Sequence, residues 1–227
     1  MIASSPKQHG TNVTRWSSPA GDEPDGGDWC EAIAVSVKTL ALTIGDVAGH
    51  GSAVAGLKDA MRASVVQAMA DIAVPSEVLA VANDLALTWG GDGILVTAIV
   101  AILDFRRHTL TFANAGHPPP LLYAACSHAF LEHPPADLPL GVFPRFRAAN
   151  YVVSLPIDAL LTFYTDGLTE HARDPIRGEA ELVEAVRFVC ARPDLDAARE
   201  IAGHVFATVR GADDAAVLAV RLAPTDG

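Results

Sequence analysis

The segment Leu40–Ser52, Leu-Ala-Leu-Thr-Ile-Gly-Asp-Val-Ala-Gly-His-Gly-Ser, restricts the folds open to this chain more than any other. Leu40, Leu42 and Ile44 alternate with small or polar residues, the two-residue period of a half-buried strand. The strand breaks at Gly45-Asp46, and Gly49 and Gly51 follow before an alanine-rich run of helical spacing. Asp46 therefore stands where a strand ends and a glycine-rich bend begins. Glycine permits left-handed backbone and close approach, which ligand and metal sites often need. An ordinary strand-to-helix turn with a surface aspartate would leave the same pattern.

The flanking residues extend this pattern into a fold. Cys30–Val37 and Thr39–Asp46 read as a hairpin. Val54, Leu57, Met61, Val65, Ala68 and Met69 recur at helical spacing over residues 53–73. Pro75-Ser76 opens a second helix, with Ser76 expected as N-cap and Val78, Leu79, Val81, Ala82 and Leu85 as its apolar face. Gly90-Gly91-Asp92-Gly93 reads as a loop. Strands are expected at Val96–Asp104 and Thr109–Ala115, joined as a hairpin through Phe105-Arg106-Arg107-His108, and again at Pro119–Ala124. Residues 125–146, broken by prolines and scattered polar residues, read as loop. Ala149–Ser154 and Ala159–Thr165 read as a further strand pair, Gly178–Ala191 and Leu195–Arg210 as helices, and Ala215–Leu222 as a closing strand. Hairpins without strict strand-helix alternation favour an α+β chain, antiparallel sheets covered by helices. Residues 1–25, rich in Ser, Pro, Gly and Asp, read as a flexible leader with one short strand near Val13–Trp16; 26–223 read as one domain and 224–227 as a tail.

Composition removes several function classes. Half of the 227 residues are hydrophobic and 19% are charged, which suits a globular domain with a real core. The formal net charge of −11 argues against a nucleic-acid or anionic-membrane binder, because phosphate surfaces select basic patches. Cys30, Cys126 and Cys190 are far apart and form no C-x-x-C pair, so neither a zinc knuckle nor a disulfide framework is indicated, and a reducing cytoplasm is expected. The longest apolar run, Ile94–Leu103, is about half of the roughly 20 residues a membrane helix needs.

Four acidic positions sit at strand ends or glycine turns. Asp28 follows Gly26-Gly27, Asp46 ends the second strand, Asp166 lies in Tyr164-Thr165-Asp166-Gly167, and Asp213-Asp214 precede the last strand. Asp28 and Asp46 stand at the outer ends of one hairpin, which antiparallel pairing brings together. Should Asp166 and Asp213 lie at the same end of neighbouring strands, four carboxylates converge. Converged carboxylates repel unless some protonate or a divalent cation neutralises them. Hard oxygen donors without thiolates select Mg²⁺ or Mn²⁺ over zinc. Taken singly, each Asp beside a Gly is ordinary turn chemistry.

Six strings occur in order: Gly26-Gly27-Asp28-Trp29, Ile44–Gly51, Ala113–Leu122 (with Asn114-Ala115-Gly116-His117-Pro118), Leu138-Pro139-Leu140-Gly141-Val142, Tyr164–Glu170 and Asp213-Asp214. Together, over residues 26–222, they resemble the SpoIIE-type branch of the metal-dependent PPM serine/threonine phosphatases. The resemblance implies a four-layer αββα sandwich of two antiparallel sheets flanked by helices. It also implies two Mn²⁺ or Mg²⁺ ions, bound by Asp28, Asp46, the Val47 carbonyl, Asp166 and Asp213. The same four aspartates would carry catalysis, with Asp46 bridging the ions. Glu31, His50 and Asp214 are further candidates around the metals or the substrate; the family's histidine role is not carried onto His50, whose offset from Asp46 differs and whose glycine-flanked loop equally suits a structural histidine. The implied reaction is hydrolysis of phosphoserine or phosphothreonine on a protein, with a STAS-domain anti-anti-sigma factor as the expected substrate. With no room for a sensor domain, control would come from a separate regulatory protein or from assembly.

Two positions depart from the family pattern. Relatives carry Asp three residues after the first metal Asp, where this chain has Glu31, and Thr two residues after the final Asp pair, where Ala215-Ala216 stand. A binding module with an impaired metal site is the rival reading. A serine hydrolase has no support, since no Gly-x-Ser-x-Gly elbow occurs. His117 and Asn114 read as turn residues, Arg62 as part of a solvated helix face, and Glu170 and His171 as surface loop.

Overall fold

A computed structural model describes residues 11–20, 26–89, 94–124, 127–131, 138–171, 174–207 and 213–222. The strands are β1 (Asn12–Ser18), β2 (Trp29–Ser36), β3 (Thr39–Val47), β4 (Val96–Asp104), β5 (Thr109–Ala115), β6 (Leu121–Ala124), β7 (Ser127–Phe130), β8 (Tyr151–Ser154), β9 (Leu160–Tyr164) and β10 (Ala215–Arg221). The helices are α1 (Ser52–Asp71), α2 (Pro75–Trp89), α3 (Pro175–Cys190) and α4 (Ala197–Val205), with one 3₁₀ turn at Asp166–Leu168. They form two compact units.

The unit of residues 23–117 and 133–155 is built on a sheet of order β2-β3-β4-β5-β8. All its pairings are antiparallel. Leu57, Met61, Val65, Ala68 and Met69 form the buried stripe of α1, and Val78, Leu79, Ala82 and Ala86 that of α2. Both pack with Val47, Val96, Ala98, Val100 and Ala113 into one core. Full burial of a side chain the size of Leu57 or Met61 contributes about 1.5–3 kcal/mol. Leu40, Leu42, Ile44, Ile99 and Leu103, on the alternate positions of β3 and β4, are buried as well. That explains why Ile94–Leu103 reads as a continuous apolar run: both faces of β4 are covered.

Two expectations in this unit need correction. Ser76 does not cap α2: the helix begins at Pro75, with Glu77 N donating to Val74 O (3.0 Å). Proline is favoured at a first helical position because its fixed φ suits the helix and its missing N–H is not needed there. The Ser76 hydroxyl instead accepts from Asn150 Nδ2 (2.7 Å). The segment 138–146, read as plain loop, is fastened to α2. Leu140 bridges to Val96, Gly141 N donates to Oδ1 of the buried Asn83 (3.0 Å), and Asn83 Nδ2 donates to Phe143 O (3.1 Å).

The unit of residues 1–22, 118–132 and 156–227 carries the sheet β1-β10-β9-β6-β7, also antiparallel throughout. Its core joins Tyr164, Leu160 and Val217 to Leu182, Val186 and Val189 of α3 and Ile201 and Val205 of α4. α3 begins at Pro175, three residues before the expected Gly178, because the Asp174 side chain accepts from Arg177 N (3.2 Å) and Pro175 follows the cap. α4 begins after Asp196, whose Oδ1 accepts from Arg199 N (3.1 Å). It ends at Val205, and the last residues of its expected range, 208–210, lie outside the described residues.

The strand expected at Val13–Trp16 runs from Asn12 to Ser18, paired along its length with β10. Most of the expected leader (1–10 and 21–25), the loop 90–93 and the tail 224–227 lie outside the described residues. β7 was not expected, since its sequence Ser-His-Ala-Phe falls in the proline-broken region; it forms by pairing with β6. β8 and β9 do not pair with each other. β8 completes the first sheet beside β5, whereas β9 lies between β10 and β6 in the second. Local alternation marks both as strands but does not name their partners.

Candidate metal centre

Each unit brings two of the singled-out carboxylates to the end of a strand pair. In the first, the β2–β3 ladder reaches Trp29 opposite Gly45, and one residue further out stand Asp28 and Asp46. The pairing persists past them, because Val47 N donates to Gly27 O (3.2 Å). A Cβ on Gly27 would collide with the Val47 carbonyl oxygen and stand 3.1 Å from Asp46 Oδ1. The missing side chain therefore leaves room for a carbonyl and a carboxylate oxygen to lie side by side against the backbone. Asp28 and Asp46 are both half-buried.

Around this pair the other expected residues divide. Glu31, opposite Thr43 in the ladder, has its Oε1 2.8 Å from Arg62 Nη1 of α1. Arg62, read as a solvated helix position, thus ties α1 to β2. His50 is exposed in the bend before α1. Asn114 and His117 make the expected turn: Asn114 Oδ1 accepts from His117 N (2.7 Å) and Asn114 Nδ2 donates to His117 O (2.8 Å). The buried His117 ring also meets Thr97 Oγ1 through Nδ1 (2.8 Å).

In the second unit Asp166 follows β9 and opens the 3₁₀ turn. Its carbonyl accepts from Thr169 N (2.8 Å) and Glu170 N (2.7 Å). The β9–β10 ladder continues outward through Thr165 N to Ala216 O (3.1 Å) and Ala216 N to Thr165 Oγ1 (2.8 Å). Gly167 then lies against the Asp214 backbone so closely that a Cβ would collide with the Asp214 carbonyl oxygen. This approach sets Asp166 beside Asp213. The Asp166 carboxyl is held above the ordinary carboxylate range, first by the protein packed around it and next by the Asp213 charge. Asp166 and Asp213 nonetheless keep exposed faces that solvent can reach. Asp213 Oδ1 accepts from Asp214 N (2.8 Å), and Asp214 Oδ1 accepts from Ala20 N (2.6 Å), so Asp214 fastens the end of β1.

In each unit taken by itself, the oxygens would suit a hard divalent cation: a carboxylate and a carbonyl oxygen crowd together at Gly27, and in the other unit the Asp213 charge bears on the Asp166 carboxyl. No group of three or more His, Cys, Asp or Glu residues gathers within one metal-sized cluster among the described residues. One feature escaped the sequence reading altogether. His171, read as surface loop, is buried against Glu181 of α3, and its sequence neighbours carry no signal of that.

A family model for stage II sporulation protein E (SpoIIE) matches residues 36–223. Among solved structures, the chain is similar to the RsbU and RsbW domains of Rv1364c from Mycobacterium tuberculosis, with 29% identity and a TM-score of 0.83 over 95% of this chain. It is similar to the PP2C phosphatase domain, with a regulatory fragment, of SpoIIE from Bacillus subtilis, with 16% identity and a TM-score of 0.79 over 96% of this chain. It spans 62% of the first of those chains and 64% of the second. It also resembles RsbX in complex with magnesium, with 16% identity and a TM-score of 0.74, covering 98% of this chain and 100% of that one. The expected fold class is thereby established: two antiparallel sheets with four helices, in the PPM phosphatase fold. With a match running from residue 36 to residue 223 of 227, this chain belongs to the SpoIIE family of PPM-type metal-dependent serine/threonine phosphatases.

Proposed function

We propose that this chain hydrolyses phosphoserine or phosphothreonine on a protein, using two Mn²⁺ or Mg²⁺ ions held by Asp28, Asp46, the Val47 carbonyl, Asp166 and Asp213. The observation that carries the reading is the crowding of Val47 O and Asp46 Oδ1 against Gly27, which sets a carbonyl and a carboxylate oxygen side by side at the end of the β2–β3 pair. When bound, such a cation pair supplies an activated water and neutralises charge on the transferred phosphoryl oxygens. The protein's own part is positional. Asp46 presents its carboxylate from the rigid end of a central strand, next to Val47, whose carbonyl needs no proton removed to act as a donor. The Asp213 charge adds to the burial that opposes ionisation of Asp166, and a cation seated beside them would offset that opposition.

The substrate belongs to the same proposal. The likeness to a structure holding RsbU and RsbW domains supports a role in partner switching, with a phosphorylated STAS-domain anti-anti-sigma factor as the protein dephosphorylated. A separate regulatory protein is the expected source of control. The decisive experiment is Mn²⁺-dependent turnover of p-nitrophenyl phosphate and of a phosphoserine protein. Asp46→Ala and Asp166→Ala should each abolish hydrolysis while the fold persists; retained metal-dependent turnover in either variant removes the assignment.

A second reading is a docking module with weak catalysis. It is favoured by Glu31, whose carboxylate is engaged by Arg62, and by the absence of a hydroxyl at Ala215-Ala216. Calorimetric titration of Mn²⁺ into metal-free protein separates the two, because the module takes up no ion through these aspartates.

A further inference from the structure

Five residues beyond Asp166, the His171 side chain is 1% exposed. Its Nδ1 lies 3.0 Å from Leu168 O, and its Nε2 lies 3.1 Å from Glu181 Oε2 on α3. The ring meets Phe206 edge to face, with centroids 5.6 Å apart. A neutral imidazole donates from one nitrogen and accepts at the other. Here Nδ1 is hydrogen-bonded to the Leu168 carbonyl, which only accepts, so Nδ1 is the donor, and Nε2 is turned to the Glu181 carboxylate.

Glu181 shows the same dependence from its own side. Oε1 accepts from Arg177 Nε (2.8 Å). Oε2 is buried and has no aligned hydrogen bond among the described residues, so its 3.1 Å approach to Nε2 is its close polar contact. Loss of the His171 ring would leave this buried oxygen facing no polar partner, which costs more than the contact itself, while Arg177 still holds the other oxygen. Gly178 supplies a second hold: it lies against Thr169 so closely that a Cβ would collide with the Thr169 carbonyl oxygen. The turn that carries Asp166 is therefore docked on α3 at Thr169 and at His171.

We propose that His171 is a positioning residue which, through Glu181, locks the Asp166 turn onto α3 and so fixes the Asp166 carboxylate for a divalent cation. The inference rests on the metal-binding reading above. His171 is not itself a ligand, since both ring nitrogens are engaged and the ring is buried. Loss of a group that orients a metal ligand typically weakens metal binding about 10- to 100-fold.

The test is Mn²⁺ titration by calorimetry into the full chain, comparing wild type, His171→Ala, Glu181→Gln and Asp166→Ala. His171→Ala and Glu181→Gln should each weaken Mn²⁺ binding by about tenfold or more. The double variant should be little worse than either single one, as expected when two residues act through one contact. In turnover, the loss should appear in the Mn²⁺ concentration giving half-maximal hydrolysis more than in kcat at saturating Mn²⁺. Should His171→Ala fail to fold, Glu181→Gln decides, because it keeps shape and packing. Glu181→Gln with wild-type Mn²⁺ affinity overturns the clamp, whether or not its melting temperature falls, provided Asp166→Ala loses an ion. Wild-type uptake by Asp166→Ala overturns instead the metal reading on which the clamp rests.

Discussion

Replacing Gly27 with alanine puts a methyl group where two oxygens already stand. The new Cβ would lie inside 3.0 Å of Val47 O, closer than real contacts allow, and 3.1 Å from Asp46 Oδ1. Neither neighbour is the loose end of a flexible side chain: Val47 O is backbone at the end of a central strand, and Asp46 is opposite Thr97 in the β3–β4 ladder. Relief requires the start of β2 to move away from β3 by on the order of 1 Å, a displacement that can cost a catalytic site about 100-fold in rate. It also strains the Val47 N–Gly27 O hydrogen bond. Its loss costs about 1 kcal/mol, and overpacking of this kind about 1–3 kcal/mol. Urea unfolding of the metal-free protein should therefore show Gly27→Ala less stable by ~1–3 kcal/mol. Mn²⁺ calorimetry and p-nitrophenyl phosphate turnover should show a much larger proportional loss of binding and rate. The reasoning is refuted if the variant is destabilised as stated yet binds Mn²⁺ as wild type does. The oxygens beside Gly27 would then not be ligands.

Two further outcomes test the electrostatics and the packing. The raised Asp166 pKa means that the fold favours the neutral acid, so its contribution to stability is fully present below the ordinary carboxylate range. That contribution is lost as pH rises through the raised folded value, and Asp166→Asn is immune to the loss. Without divalent cation the variant should gain on wild type as pH climbs through that window, as read by urea unfolding; a pH-independent difference would contradict the assigned cause. Gly203 lies in α4, and a Cβ there meets nothing within 4 Å. Gly203→Ala should stabilise the chain by about 0.5–1 kcal/mol with Mn²⁺ affinity unchanged, and unfolding curves coincident with wild type would count against the helix assignment.

Much of the secondary structure is legible because it is local. Val96–Asp104 and Thr109–Ala115 appear at their expected bounds, and the helical spacing of Leu57, Met61 and Val65 names the buried stripe of α1. The turn of Asn114 and His117 follows from side-chain bonds spanning three residues. Where expectation and structure part, a distant partner intervened. Ser-His-Ala-Phe becomes β7 only beside β6, and β8 and β9 separate because β5 and β10 offer them edges in different sheets.

The same division runs through the candidate site. The amino-acid order alone places Asp28, Asp46, Asp166 and Asp213 at strand ends next to glycines, and six spaced strings point to the family, because turn chemistry and motif spacing are written along the chain. It does not show that Gly27 crowds Val47 O, that Gly167 and Gly178 seat the Asp166 turn on β10 and α3, that Arg62 holds Glu31, or that His171 is buried. Each of these depends on which residues far apart in sequence approach within a bond length or two. Such approach is settled by strand pairing and helix docking over the whole domain, and local periodicity carries no record of it.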